Sequence, residues 1–441
     1  MSSGNSLGMK EAVVAASIAA GVAYSLKSMS DYSKKRLPPG PKSLPFIGHM
    51  LSVPRSSEHL AFAAMGKQLN SDIIALTAMG QTIVVLNSAE AASELLDKKS
   101  SVYSGRAQIP AVSDKDIAFG ATLLHSTYGY LPTSPNDDWI VAASAATDHI
   151  AQAAQPTRPS ADFIVNFFPA LRHLPDWFPG TGWKRILRSW REHKEYITAA
   201  PYNWTKEQIQ LVQASTVVII SYPDFEVSKG AYAGGLDTSI ATASFFILAM
   251  VLYPEVALKI QEEADRVLGN AERFPTVHDR EQMPYVRSTL LEVLRWQPVN
   301  PLAIPHAAMD DDEYKGYQIP KGSIVMGNTW AITRDERIYP DPECFNPDRF
   351  LDPKVPSSPA FGYGRRICPG SHFADANLFL LISTLMYIFD IERAVDEKGE
   401  EIIPEIKTTL DSTVSRKPQS FSFVLKPRSE AHMKLAMGFN E

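Results

Sequence analysis

The chain has 441 residues, 45% of them hydrophobic and 21% charged, enough apolar material for a large core. Its 43 basic residues are outweighed by 49 acidic ones, and the net charge of −6 excludes the broad basic surface that non-specific nucleic-acid binding relies on. Two cysteines, Cys344 and Cys368, exclude a disulfide framework and point to a reducing compartment.

The N-terminal stretch AVVAASIAAGVAYSL, Ala12 to Leu26, is uncharged and rich in small residues. As a helix it would span roughly 22 Å against a hydrocarbon thickness of about 30 Å. Lys27, Lys34, Lys35 and Arg36 follow it, an order that keeps the body on the cytoplasmic side and differs from that of a cleaved signal peptide. Residues 1–36 are expected to form a membrane anchor with a basic linker, and residues 37–441 the main domain. A peripheral or flexible segment is the alternative.

The prolines of RLPPGPKSLPFIGHM fix extended backbone and predict a stiff spacer. SDIIALTAMGQTIVVLNS, Ser71 to Ser88, carries two β-rich runs around a turn and predicts a hairpin, with a helix over Ala89–Lys98. DFIVNFFPALRHLPDWFPG, Asp162 to Gly180, reads either as irregular core or as the wall of an apolar pocket. Helices are expected over Lys184–Tyr196, Tyr232–Leu252, Pro254–Leu268, Met283–Trp296 and Ser371–Phe389, with short strands and turns over Pro301–Phe350. The fold class is mainly α with small β-sheets (α+β).

Within the helical run, YAGGLDTS sets two glycines before Asp237 and Thr238. Paired glycines cost roughly 1 kcal/mol each relative to alanine, which points to close approach of a ligand or to a local opening of the helix. Asp237 and Thr238 would then offer an acid and a hydroxyl for proton relay; a kinked helix with a satisfied threonine is the bland reading. FGYGRRICPG, Phe361 to Gly370, places Cys368 between glycines, behind two arginines and before a helix. A buried inert thiol needs none of this. A metal-bound thiolate needs nearby positive charge, backbone N–H groups and a close-passing loop.

The pattern Phe361-x-x-Gly364-x-Arg366-x-Cys368-x-Gly370 matches the heme-binding signature of the cytochrome P450 family at every fixed position, and the chain resembles that family from Pro38 to Val424. By resemblance, Cys368 is the axial ligand of heme b iron, Phe361 packs beside it, Gly364 and Gly370 shape the loop, and Arg366 meets a heme propionate. Gly234 to Ser239 is similar to the family's oxygen-activating motif, which assigns Asp237 and Thr238 to proton delivery. Glu292 and Arg295 resemble a structural ion pair whose third member would be Arg349, and His306 falls where a propionate-binding residue is expected, although a lone histidine is more often structural. Cys344 is expected to be a small buried residue.

The implied fold is P450-like and the implied activity is monooxygenation of a lipophilic small molecule. Electrons would come from NADPH through a separate cytochrome P450 reductase, because no nucleotide-binding glycine loop is present. The likeness is strongest to the fungal secondary-metabolite branch, with O-methylsterigmatocystin oxidoreductase-like enzymes, and implies an endoplasmic reticulum anchor with the catalytic domain facing the cytoplasm. The family's early helix carries Trp-x-x-x-Arg, yet Trp139, Trp183 and Trp190 have no arginine four residues on. A second shortening falls between Trp204 and Tyr232. Some helices before the oxygen-activating helix are therefore expected to be missing, which keeps open a non-catalytic remnant, by decay or mis-splicing. A peroxide-driven enzyme or isomerase is a third reading.

Overall fold

Two runs rich in isoleucine, valine and threonine are enough to make the predicted hairpin, and the computed structural model contains it: β1 (Ile73–Ala78) pairs antiparallel with β2 (Gln81–Leu86). The structure describes residues 36–44, 47–54, 56–78, 81–106, 138–139, 142, 174–178, 181–193, 196, 200, 225–408 and 416–438. The anchor expected over 1–36 lies outside the described residues apart from Arg36. Among the described residues no single helix is long and apolar enough to cross a membrane. The chain divides into two units, one of residues 1–107 and 305–328, the other of 108–304 and 329–441.

The first unit is a five-stranded sheet in the order β1-β2-β7-β4-β3, with β3 Gly105–Arg106, β4 His306–Ala307 and β7 Ile324–Gly327. β2 and β7 pair in parallel, Ile83 opposite Ile324. Both strands are nearly continuous apolar runs, as a strand covered on both faces requires, and Ile73, Ile74, Leu76, Val84, Val85 and Leu86 are buried. A second hairpin, β5 (Asp312–Tyr314) with β6 (Tyr317–Ile319), and helix α1 (Glu58–Gln68) complete the unit. The proline-rich spacer lies on the sheet: the Ala75 N–H donates to Pro39 O at 2.9 Å. His49 pins it further, accepting from the Thr77 N–H at Nδ1 and donating from Nε2 to Pro41 O, each at 2.8 Å. The segment predicted helical over Ala89–Lys98 is α-helical only over Ala89–Ala92 and continues as a π-helical turn over Ser93–Lys98.

The second unit is helical. α2 (Phe225–Leu252), α3 (Pro254–Leu268), α4 (Pro284–Trp296) and α5 (Ser371–Ile388) surround one core of Phe245, Phe246, Ile260, Leu290, Phe379 and Ile382. Proline opens α3 and α4, where its missing N–H is not needed. The start of α4 is completed from outside: the Glu263 carboxylate on α3 accepts from the Tyr285 and Val286 N–H groups at 3.0 and 2.9 Å. The helix over 183–193 also agrees with expectation. The described part of the aromatic–proline stretch does not line a core, since Trp177 and Phe178 are exposed.

Two further elements were not anticipated. β8 (Phe389–Arg393) pairs antiparallel with β9 (Phe423–Pro427), and α6 (Glu430–Met437) closes the described chain. One expectation is corrected along α2: the backbone stays helical through Gly234 and Gly235. A helix longer than seven turns, anchored by buried Phe245, Phe246 and Ala249, carries the glycine pair without opening.

Candidate heme-thiolate site

Cys368 sits in a loop that its own backbone closes. Its N–H donates to Phe361 O at 2.8 Å, so the ten-residue signature returns on itself. The path between requires left-handed backbone at Gly362 (φ 87°) and Gly364 (φ 51°), which a Cβ would strain. A single 3₁₀ turn, Gly364–Arg366, follows, fastened by Ile367 N–H to Gly364 O at 3.2 Å. Pro369 and Gly370 then lead into α5, with the Ala374 N–H bonded to Gly370 O at 2.8 Å.

The sulfur therefore lies three residues before the first residue of an 18-residue helix, where the macrodipole favours negative charge. A Cβ on Gly370 would stand 3.9 Å from Sγ, so the glycine keeps one side of the sulfur clear of side chain. Cys368 is half-buried, Arg365 and Arg366 are exposed, and Phe361 packs partly against the core of the unit. Two contacts not foreseen from the sequence hold the loop's surroundings. Buried Tyr363 shares a hydrogen bond with the Thr329 hydroxyl, 3.3 Å away. Arg280 forms an ion pair with Asp375 in the first turns of α5.

The expected triad is present and buried. Glu292 accepts from Arg295 Nε at 2.7 Å and Nη2 at 2.8 Å, and Arg349 Nε reaches the same carboxylate at 3.2 Å. Arg295 also donates to Thr333 O (3.0 Å) and Pro342 O (2.9 Å), and Arg349 to Pro340 O (2.9 Å). One ion-pair cluster thus fixes the path of residues 333–349 against α4. Cys344 is exposed, contrary to expectation: its carbonyl serves this cluster at 3.2 Å from Arg295 Nη2, which turns its thiol outward.

Thr238 is half-buried on α2, and its carbonyl accepts from Thr242 Oγ1 at 2.8 Å. The side chain of Asp237 lies outside the described residues. His306 belongs to the first unit, buried on β4, with Nδ1 2.7 Å from Tyr103 O; a carbonyl there requires Nδ1 to carry the proton. Phe361, Gly364, Arg366, Cys368 and Gly370 thus share one loop, while Asp237 and Thr238 sit on a helix of the same unit. A Trp-x-x-x-Arg spacing does occur in the chain, but late, at Trp330 and Arg334.

Among the described residues no group of three or more His, Cys, Asp or Glu could hold a metal ion. A lone thiol at a helix start suits an iron whose other ligands come from a macrocycle, so the residues fit heme. The loop and its helix define a heme-thiolate class of protein. The sequence model of the family described as Cytochrome P450 matches residues 228–422. Cytochrome P450 monooxygenase 98 of Postia placenta is 35% identical, over 90% of this chain and 92% of its own length. Cytochrome P450 monooxygenase claR of Ampulloclitocybe clavipes is 33% identical (91% and 88%), and tryptamine 4-monooxygenase of Psilocybe cyanescens 32% (92% and 96%). The chain belongs to the cytochrome P450 family, on its fungal side, and is an oxygen-incorporating oxidoreductase of the monooxygenase kind.

Proposed function

We propose that the chain inserts one oxygen atom of O2 into a lipophilic small molecule of secondary metabolism, with Cys368 as the thiolate ligand of heme b. The observation that carries this reading is the Cys368 loop, closed by its own backbone at the start of α5. When bound, the heme supplies activation of dioxygen. Cys368 would bind the iron, with Gly364 and Gly370 leaving room for a flat ring and Arg366 holding a propionate. His306 would serve a second propionate. Asp237 and the Thr238 hydroxyl would pass protons toward the reacting oxygen. Electrons would arrive from NADPH through a membrane-bound reductase, and residues 1–36 would anchor the chain in the endoplasmic reticulum with the body in the cytoplasm. The tryptamine named for one relative is a small organic substrate, in keeping with this class.

The second reading, that of a shortened non-catalytic remnant, is separable by experiment. The match to Cytochrome P450 monooxygenase 98 runs over 486 positions, although nine-tenths of 441 residues is about 397, so about 90 positions of the comparison face no residue here. The chain is thus shorter than that relative by this measure, in keeping with the expectation that some family helices are missing. The carbon monoxide difference spectrum of the reduced, purified chain separates the two. A strongly red-shifted Soret band that Cys368→Ala abolishes is expected of the enzyme. A chain that takes up no heme is the remnant.

A further inference from the structure

Trp330 carries two guanidinium groups over one ring, Arg334 Cζ at 3.2 Å and Arg416 Cζ at 4.5 Å from its centroid. Arg334 is fully served: it donates to Trp296 O at 2.7 Å, to Thr333 Oγ1 at 3.2 Å and to the Glu343 carboxylate at 3.1 Å. Arg416 is not. Its backbone N–H is tied to Val299 O at 2.8 Å and Nη2 lies 3.4 Å from Thr408 Oγ1, but Nη1 is buried without an acceptor in a residue only 8% exposed.

The charges around it do not balance. Arg295 and Arg349 share Glu292, and Arg334 has Glu343. That leaves Arg416 without a carboxylate among the described residues. Burial pushes its guanidinium down to about 10, and no acid among the described residues offsets the effect. An unpaired charge in such a place is strongly disfavoured unless a counter-ion joins it. A second orphan stands close in sequence to Val299: Gln297 is buried and its Oε1 has no donor.

We infer that Arg416 Nη1, with Trp330 beneath the guanidinium, forms a binding site for a carboxylate. Arginine offers a planar fork matched to that group, which lysine does not. The carboxylate is either a free small acid or the acid group of a lipophilic molecule. The site sits one residue along the chain from Thr329, whose hydroxyl meets Tyr363 of the cysteine loop.

The test is the melting temperature of the full heme-loaded or heme-free chain in sodium acetate, sodium chloride and acetamide at matched ionic strength. Acetate is expected to raise it by about 2 °C in a saturable way, with chloride and the neutral isostere without effect. Arg416→Met should abolish the response and Arg416→Lys should weaken it about tenfold in concentration. Hexanoate acting at concentrations 100-fold or more below those of acetate, roughly the gain from several buried methylenes, identifies the acid of a lipophilic molecule. Equal potency identifies a free small acid. An acetate effect no larger than that of acetamide or chloride in the unaltered chain, or one that survives in Arg416→Met, overturns the inference; the first comparison needs no variant to fold.

Discussion

Replacing Glu292 with glutamine keeps the shape of the side chain and removes only its charge. Four donors converge on that carboxylate: Arg295 Nε at 2.7 Å and Nη2 at 2.8 Å, the Asn346 N–H at 2.8 Å and Arg349 Nε at 3.2 Å. Glu292 and Arg295 are both 0% exposed, so water cannot take over the lost interactions. In Glu292→Gln two arginines face an amide, half of which is itself a donor. Removing one partner of a buried pair costs about 3–5 kcal/mol, and with a urea slope of roughly 3 kcal/mol per molar the unfolding midpoint should fall by about 1–1.7 M. Far-ultraviolet circular dichroism in urea reads this directly. Glu430→Gln is the control, because the Glu430–Lys434 pair is 84% and 75% exposed and should move the midpoint by less than ~0.2 M. A Glu292→Gln midpoint within ~0.3 M of the unaltered chain would refute the view that this ion cluster holds residues 333–349 in place.

Other predictions follow from single contacts. Trp296→Ala should cost about 3–5 kcal/mol in the same assay. It empties a fully buried site between Phe345 (ring centroids 5.2 Å apart) and Tyr253 (6.1 Å), and it leaves Glu343 O without its indole donor. Burial, reinforced by the Arg428 charge, holds the His432 imidazole below its ordinary 6.5. The unfolded chain therefore takes up a proton that the folded chain refuses: stability is full above pH 6.5, falls as pH drops below it, and His432→Phe should flatten that slope in thermal melts at pH 5 to 7.5. Gly370→Ala places its Cβ 3.9 Å from the Cys368 sulfur, an ordinary contact within the protein. It should melt like the unaltered chain when heme-free yet bind less heme per mole; an unchanged heme ratio by absorbance would show that the sulfur is not approached from that side.

The parts of the molecule that local chemistry dictates were legible in the sequence. Proline at the start of α3 and the glycines around Cys368 each carry their own structural reason, and the helix start and the closed loop were found where expected; the Glu292–Arg295 spacing means little alone and took its role from the family resemblance. Arg349, 57 residues from Glu292, was reached only through the family resemblance. What escaped depends on partners far along the chain. The glycine pair in α2 was read as an opening because the cost of glycine is local, whereas the packing that overrides it is not. Cys344 was read as buried because a lone cysteine usually is, yet the arginines that claim its carbonyl give no sign near position 344. The stacking of Arg334 and Arg416 on Trp330 joins residues 86 positions apart and has no sequence signature for its second half.

The parallel pairing of β2 with β7 sets the order in which this chain can assemble. Gln81, the first residue of β2, and Gly322, just before β7, are 241 residues apart, and the whole second-unit segment 108–304 is synthesised between them. At ribosomal speeds of about 5–20 residues per second, the first hairpin must wait on the order of 10–50 s for its neighbour, with the edge Ile83–Leu86 open to any other strand. That interval is the chain's period of greatest exposure to aggregation, and it is when a chaperone has most to protect. The same layout makes the sheet indifferent to what lies between its halves: residues can be lost from the intervening segment while the register of Ile83 against Ile324 is still written at both ends.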